Sequence, residues 1–281
     1  MDLSAHISLA PLAEAVAAVL RPAAAAGIEV YIAGALARDL WLEFAYGIHT
    51  GRRTADVDFA VECADWDAFE GLRTALLAAG ELAQSDRVLH KFHHRNGTEL
   101  DFLPYGGVER ADRTLAWPNG GRPGMNALGF AEVASTTVAF LLPGGVWVQV
   151  VALHALALLK LVAWTDRSLQ KDAHDLLVIA KHYLDAGHVD RLYATAMDIV
   201  MRDDFDYEVA GAELLGRDLA ALDRGDGVVR GFAITLLQHE TDTHGVRLLV
   251  SQMTRTARDA GLALRLLLGI LRGIEAGEAD S

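Results

Sequence analysis

Residues 31–62 most narrow what this chain can fold into. A β-like run through Tyr31, Ile32 and Ala33 enters Gly34-Ala35, a helix-like run follows, and a second β-like run carries Asp56-Val57-Asp58. Side chains alternate faces along an extended strand, so Asp56 and Asp58 project to the same side and are placed to share one or two divalent cations. Mg²⁺, or Mn²⁺ in its place, takes oxygen ligands, usually one or two carboxylates together with substrate phosphates. Gly34 falls where the first strand must turn into a helix. A residue without Cβ there lets phosphate oxygens approach the backbone N–H groups at the helix start. One short stretch therefore predicts two features of a site for a metal-bound triphosphate.

Two blocks of residues carry a family likeness. Ile32-Ala33-Gly34-Ala35-Leu36-Ala37-Arg38-Asp39 followed by Thr54-Ala55-Asp56-Val57-Asp58-Phe59-Ala60-Val61 resembles the opening of the DNA polymerase β-type nucleotidyltransferase superfamily. In that superfamily a Gly-Gly or Gly-Ser turn leads to an Asp-x-Asp strand, and a third carboxylate stands on a later strand. The resemblance implies Asp101 as that third carboxylate, within the alternating run Thr98-Glu99-Leu100-Asp101-Phe102-Leu103, with Glu99 on the same face as its backup. The chain departs from the pattern at Ala35, where the family usually has Gly or Ser. Further on, residues 159–167, which include Lys160, precede Gln170-Lys171-Asp172-Ala173-His174-Asp175-Leu176. These segments resemble the lysine and Lys/Arg-Asp-x-x-Asp-Leu segments of the AbiEii-like branch, which includes nucleotidyltransferase toxins of toxin–antitoxin systems. This second likeness implies Lys160 as a phosphate contact and Asp172 or Asp175 as its acidic partner.

At 281 residues the chain has room for one large domain or two modest ones, and its 52% hydrophobic content predicts a packed globular core. The single cysteine, Cys63, excludes an internal disulfide framework and fits a reducing compartment. The start, Met-Asp-Leu-Ser-Ala-His, lacks a basic segment, so the alanine-rich residues 9–26 read as an amphipathic helix rather than a signal peptide. Pro11 suits its first turn, and Pro22 is expected to end or kink it. No apolar run is expected to span a bilayer: the nearest, residues 146–163, contains Gln149, His154 and Lys160. A cytoplasmic protein with no membrane partner is expected.

The fold class predicted is α+β, an α/β-type nucleotidyltransferase domain with a short mixed sheet, followed by an α-helical bundle domain. Strand-like runs at 28–33, 54–61, 86–95, 98–103, 131–141 and 146–151 alternate with helix-like runs at 35–45 and 65–79. After residue 150 helical spacing dominates, with helices expected near 152–165, 169–185, 187–201, 208–222, 227–239 and 243–274. The domains are thus 1–150 and 151–274, with a disordered tail at 275–281. Residues 105–129, rich in glycine, proline and arginine, read as a long functional loop over the nucleotide or the acceptor.

A net charge of −13 argues against broad electrostatic attraction to nucleic acid. Arg52, Arg53, Arg87, Lys91, Arg95, Arg110, Arg113 and Arg122 nevertheless gather in the half that holds the aspartates, and would make a locally positive cleft unless they are simply solvated. In nucleotidyl transfer a hydroxyl attacks the α-phosphate of an NTP and pyrophosphate leaves, a displacement that paired metals assist. Asp56 and Asp58 would hold the metals and triphosphate, and Asp101 would ligate the catalytic metal and help deprotonate the acceptor. Lys160 would neutralise phosphate charge, and Arg53 or Arg52 would reach the triphosphate. Arg38 and Asp39 would pair with each other or brace the Asp-x-Asp strand. Each has a bland rival: a chance Asp-x-Asp, a structural Arg38–Asp39 pair, or Asp172 and Asp175 paired with Lys171 along one helix. His90, His93 and His94 split between two strand faces without a cysteine, which disfavours a zinc site, and Cys63 lacks a histidine to activate it. No phosphate-binding Gly-x-x-x-x-Gly-Lys-Ser/Thr motif is present.

Three functions follow. The first is a metal-dependent nucleotidyltransferase acting on an RNA end such as tRNA, a protein hydroxyl or a small molecule, with a cognate antitoxin as partner. The second keeps the fold but modifies aminoglycoside antibiotics, polycations that suit an acidic protein. The third is a non-catalytic nucleotide-binding or interaction module, to which Ala35 points.

Overall fold

A mixed sheet of seven strands organises the first of two compact units, Met1–Ala152 and Leu153–Ser281. The computed structural model describes residues 1–54, 56–86, 88–118, 124–254 and 257–277. The strands are β1 (Val30–Ala33), β2 (Asp56–Cys63), β3 (Leu82–Gln84), β4 (Lys91–His94), β5 (Glu99–Gly106), β6 (Val138–Leu142) and β7 (Val146–Val150), in the spatial order β3-β4-β5-β2-β1-β7-β6. The helices of this unit are α1 (Ala10–Ala25), α2 (Gly34–Asp39), α3 (Trp66–Ala78) and α4 (Phe130–Ala134), and α2 continues as a π-helical turn over Leu40–Ala45.

Alternation explains the strands at the centre. Val57, Phe59 and Val61 of β2 are fully buried, as are Leu100 and Phe102 of β5, leaving Asp56, Asp58 and Asp101 on the other set of positions. The Phe59 and Phe102 rings stack at 5.6 Å, and Phe92 of β4 meets Phe102 edge-on at 5.1 Å. Helix α3 starts where Asp65 accepts a hydrogen bond from the Ala68 N–H at 2.8 Å, an N-cap that turns the chain out of β2. Its buried residues Phe69, Leu72 and Leu76 recur at helical spacing and form its core face.

The second unit is helical: α5 (Leu153–Arg167), α6 (Gln170–Lys181), α7 (Val189–Thr195), α8 (Met197–Val200), α9 (Tyr207–Ala220), α10 (Val228–Thr241), α11 (Leu248–Met253) and α12 (Ala257–Ala276). Helices α9 and α12 pack backbone against backbone. A Cβ at Gly216 would overlap the Ile270 carbonyl oxygen, and one at Gly273 would overlap that of Glu213. Beside this seam Glu213, almost wholly buried, accepts from both terminal nitrogens of Arg202 at 2.7 Å and from Arg272 at 3.3 Å.

Several elements differ from the sequence expectation. Pro22 does not end α1, which runs on to Ala25. A proline so near a helix end forfeits one hydrogen bond, and burial of Ala23 holds the last turn. The strand expected over 86–95 is shorter, because only Lys91–His94 is extended; its hairpin partner β3, with Leu82 opposite His94, went unread. The strand expected over 131–141 begins only at Val138, since Gly129 at φ 93° opens α4 ahead of it and Phe130 and Val133 are buried at helical spacing. The helix expected over 187–201 is broken at Ala196, and that over 243–274 is interrupted where Thr254 turns extended. Helix α12 reaches Ala276, so the disorder expected from 275 does not begin there; residues 278–281 lie outside the described residues. Residues Ile7–Ala25 are also long and apolar enough to cross a membrane, contrary to expectation, although Ala13, Ala15, Val16, Ala18 and Val19 are buried within the first unit.

Candidate functional site

The first unit gathers carboxylates on one face of the sheet. Strands β2 and β5 are parallel neighbours with Asp58 opposite Asp101 and Asp56 opposite Glu99. Alternation then places all four side chains on the same face. Strand β1 approaches β2 from the other side, antiparallel, with Ala33 opposite Asp58, so the turn at Gly34 lies beside that carboxylate. Gly34 has φ 67°, which favours glycine, and a Cβ built on it would overlap the Asp58 carboxyl group. The sequence reading gave Gly34 the task of admitting phosphate; in the structure the space a side chain would take is filled by Asp58.

Arg38 and Asp39 fix the approach to β2. The Arg38 guanidinium, fully buried, donates from Nε to Asp39 Oδ1 at 2.9 Å and from Nη2 to the Arg52 carbonyl at 2.8 Å. Asp39 Oδ2 accepts from the Thr54 N–H at 3.0 Å. The helix thereby grips the segment two residues ahead of Asp56. Burial raises the Asp39 pKa above its ordinary value against the pull of Arg38. Arg53, which with Arg52 was one of two arginines expected to reach the triphosphate, is an exposed side chain paired with Glu43 at 2.6 Å and laid over the Phe44 ring. Ala35 is buried at the start of α2.

Lys91, read from sequence only as one of the basic residues near the aspartates, proves to be the partner of Asp101. It is the Cα partner of Asp101 from β4, and its Nζ lies 3.0 Å from Glu99 Oε2 and 3.4 Å from Asp101 Oδ1. The buried Asp101 Oδ1 completes no hydrogen bond. Burial raises the Asp101 pKa, Lys91 and His90 oppose the rise, and the Asp56 charge adds to it. Asp56 accepts a hydrogen bond from the Thr54 hydroxyl. An under-satisfied buried carboxylate oxygen beside a second carboxylate is a donor set of the hard-oxygen kind that suits Mg²⁺. Among the described residues, no three His, Cys, Asp or Glu side chains are already drawn together as a ligand cluster.

Several of the basic residues expected near the aspartates are tied up in ion pairs. Lys91 is paired with Glu99, Arg95 with Glu14, and Arg113 with Glu109 and Glu132; Arg87 and Arg122 lie outside the described residues. His90 precedes β4 in a turn, so it does not share a strand face with the buried His94 as expected. Cys63 is buried, and burial together with the Asp65 and Glu62 charges pushes its thiol up to about 12, far from a nucleophile's range.

In the second unit Lys160 of α5 is itself buried, with Nζ 2.6 Å from Asp175 Oδ2 and 3.6 Å from Asp172 Oδ1, both on α6. Arg167 grips Asp172 with two hydrogen bonds of 2.7 Å. Both candidates for the acidic partner of Lys160, Asp172 and Asp175, thus lie against it, and the pairing with Lys171 considered from sequence is replaced by Lys160 and Arg167.

The class to which these features belong is that of the nucleotidyltransferases. Within it, the chain belongs to the nucleotidyl transferase AbiEii toxin family of type IV toxin–antitoxin systems, whose sequence model matches residues 22–242. Similar solved structures include an antigenic nucleotidyltransferase-like protein from Paracoccidioides brasiliensis, 18% identical over 68% of this chain and 91% of that one, with a TM-score of 0.39. Another is the antibiotic-resistance factor ANT(2'')-Ia, 12% identical over 68% of this chain and 98% of that one, with a TM-score of 0.34. No curated protein matches the sequence at a significant level.

Proposed function

We propose that the protein transfers a nucleotide from an NTP to an acceptor hydroxyl at the Asp56, Asp58 and Asp101 face of its sheet, with Mg²⁺ or Mn²⁺ as cofactor. The observation that carries the reading is the pairing of Asp58 with Asp101 across β2 and β5, beside a Gly34 turn that only a residue without Cβ fits. Bound at these carboxylates, a divalent cation would offset triphosphate charge and acidify the acceptor hydroxyl. The acceptor oxygen forms a bond to the α-phosphorus, the bond from that phosphorus to the β-phosphate oxygen breaks, and pyrophosphate departs. Asp101 is the group we assign to help take the acceptor proton, from its place opposite Asp58 on the carboxylate face, with its base strength set by the bound cation. Arg38 and Asp39 hold the Asp-x-Asp strand in place rather than touching phosphate. The phosphate-contact role of Lys160 rests on its motif; its ammonium here is occupied by Asp175 and Asp172. An NTP substrate suits a cytoplasmic setting, and the toxin–antitoxin family suggests a cognate antitoxin.

The test is to incubate the protein with Mg²⁺ and each α-labelled NTP in turn, offering cellular RNA, protein extract or aminoglycosides as acceptor. Label should enter one acceptor class, fall by about 10²–10⁴-fold in Asp101→Asn, and vanish in Asp58→Asn. Undiminished labelling by Asp58→Asn would remove the site assignment. NTP binding without transfer to any acceptor would leave a non-catalytic module.

A further inference from the structure

The carboxylate row has a cation built into it. Strand β4 pairs antiparallel with β5, with Lys91 opposite Asp101, and β5 pairs with β2, with Asp101 opposite Asp58. Residues opposite each other in a sheet share a face, so Lys91, Asp101 and Asp58 line up across three strands on the side that carries the proposed metal ligands. The Lys91 Nζ stands 3.4 Å from Asp101 Oδ1 and donates a hydrogen bond to Glu99 Oε2 at 3.0 Å. Asp101 Oδ1, buried, completes no hydrogen bond. Arg53 and Arg95 pair with Glu43 and Glu14, and Arg113 with Glu109 and Glu132, all outside this row. Lys91 differs from them in sitting against a carboxylate that the reaction needs.

An ammonium and a divalent cation compete for such a position. A Mg²⁺-sized ion binds oxygen at about 2.1 Å, so one bound to Asp101 Oδ1 would stand within about 5.5 Å of the Lys91 nitrogen where it now lies. Even at the dielectric constant of water, a divalent and a univalent cation at that separation repel enough to weaken binding about tenfold. Moving the ammonium relieves the repulsion, and this side chain is suited to move. Lysine carries a compact charge on a flexible stem, and does not lock onto a carboxylate through a planar fork as arginine does. The Glu99 side chain is 49% exposed against 20% for Asp101. An ammonium drawn toward Glu99 therefore keeps a partner while its head turns to water.

We infer that Lys91 is the resident counter-ion of the carboxylate face, competing with the divalent cation for Asp101 and withdrawing onto Glu99 when that cation binds. This rests on the transfer reading above and adds a residue that sets the strength of its metal site. Asp56, Asp58, Asp101 and Glu99 share one face, where like charges repel. The ammonium offsets part of that charge while no metal is bound. The consequence is a weaker hold on the metal than the carboxylates alone would have.

The experiment titrates the full chain with Mn²⁺ and follows the free ion by electron paramagnetic resonance, for the unaltered protein and for variants at Lys91 and Glu99. Lys91→Met, similar in length but uncharged, should bind Mn²⁺ about tenfold tighter. Lys91→Gln is measured beside it, and a thermal melt of each variant shows that it is folded. Lys91→Arg, which keeps the charge, should gain no more than about threefold. Glu99→Gln removes the place of withdrawal and should weaken binding about tenfold, but by less than about threefold in the Lys91→Met background. Unchanged or weaker Mn²⁺ binding in the folded neutral variants would overturn the competition, the weaker result making Lys91 a residue that holds Asp101 in position. Equal losses from Glu99→Gln in both backgrounds would overturn the withdrawal by making Glu99 a ligand. NTP binding in EDTA that falls in Lys91→Met while Mn²⁺ binding holds would give the ammonium to phosphate instead. Asp58→Asn and Asp101→Asn separate the two readings. Mn²⁺ binding indifferent to both would remove the metal site and this inference with it. Binding that needs both and ignores Lys91 would remove the counter-ion and leave the transfer reading standing.

Discussion

A side chain at Gly34 and the Asp58 carboxyl group would compete for one space at the edge of the carboxylate face. The φ of 67° at Gly34 disfavours any side chain, and a Cβ there would strike the Asp58 carboxyl group. Replacing it with alanine therefore combines about 1–2 kcal/mol of backbone strain with displacement of a proposed metal ligand. We expect Gly34→Ala to lower transfer by about a hundredfold or more, since a shift near 1 Å at a reacting centre costs that much. Denaturant unfolding should report a modest loss of stability beside it, and full activity in a folded Gly34→Ala would show that Asp58 need not lie against this turn. At this scale much was legible. Asp56, Asp58 and Asp101 stand out because a strand repeats every two residues and their neighbours are apolar, information carried locally. The pairing of Lys91 was hidden for the opposite reason: it becomes Asp101's partner only through the register of β4 on β5, and no local spacing encodes it. The role of Gly34 was legible as a turn but not as a seat for Asp58, which lies across the sheet.

Among the elements, α9 and α12 show how position reverses an intrinsic preference. Glycine within a helix is about 1 kcal/mol worse than alanine, so replacing it ordinarily stabilises. At Gly273 the added methyl would meet the Glu213 carbonyl oxygen and the Arg217 backbone nitrogen. Neither is able to move without separating the helices, and the Glu213 bonds to Arg202 and Arg272 would be strained with them. Gly231 in α10 has nothing within 4 Å of a built Cβ. We expect Gly273→Ala to destabilise by about 1–3 kcal/mol and Gly231→Ala to stabilise by about 0.5–1 kcal/mol, measured by urea unfolding. Equal signs for the two would mean that the α9–α12 seam is not packed on backbone. Sequence pattern located α9 and α10 nearly to their ends because apolar periodicity is strong there. It missed the breaks at Ala196 and Thr254, where the apolar spacing continues across a backbone that does not. It also read a strand through α4, where residues 131–141 are rich in β-formers but Gly129 starts a helix.

Across the whole molecule, acid should act on the two units unequally. In the second unit, burial holds the pKa values of His154 and His188 below the ordinary histidine value. The unfolded chain then takes up protons at a higher pH than the folded one, so stability falls as pH drops through the unfolded histidine value near ~6.5. In the first unit burial raises Cys63 and Tyr31, which titrate above this range, and two carboxyls, Asp39 and Asp101. There the folded form binds the proton first, and acidification through those raised values favours it. A carboxylate held low, such as Asp218 in its pair with Arg191 and Tyr183, loses its contribution only near and below the unfolded value of ~3.9, outside this window. Between about pH 7.5 and about pH 5.5 the second unit should therefore weaken selectively. Amide hydrogen exchange, corrected for intrinsic rates, should show protection falling in α5, α7 and their neighbours while β2 and β5 hold steady. His154→Gln should reduce the difference, because a side chain that does not titrate removes one of its two sources. Uniform loss of protection across both units would mean that relief or growth of net charge, rather than these buried groups, governs the response.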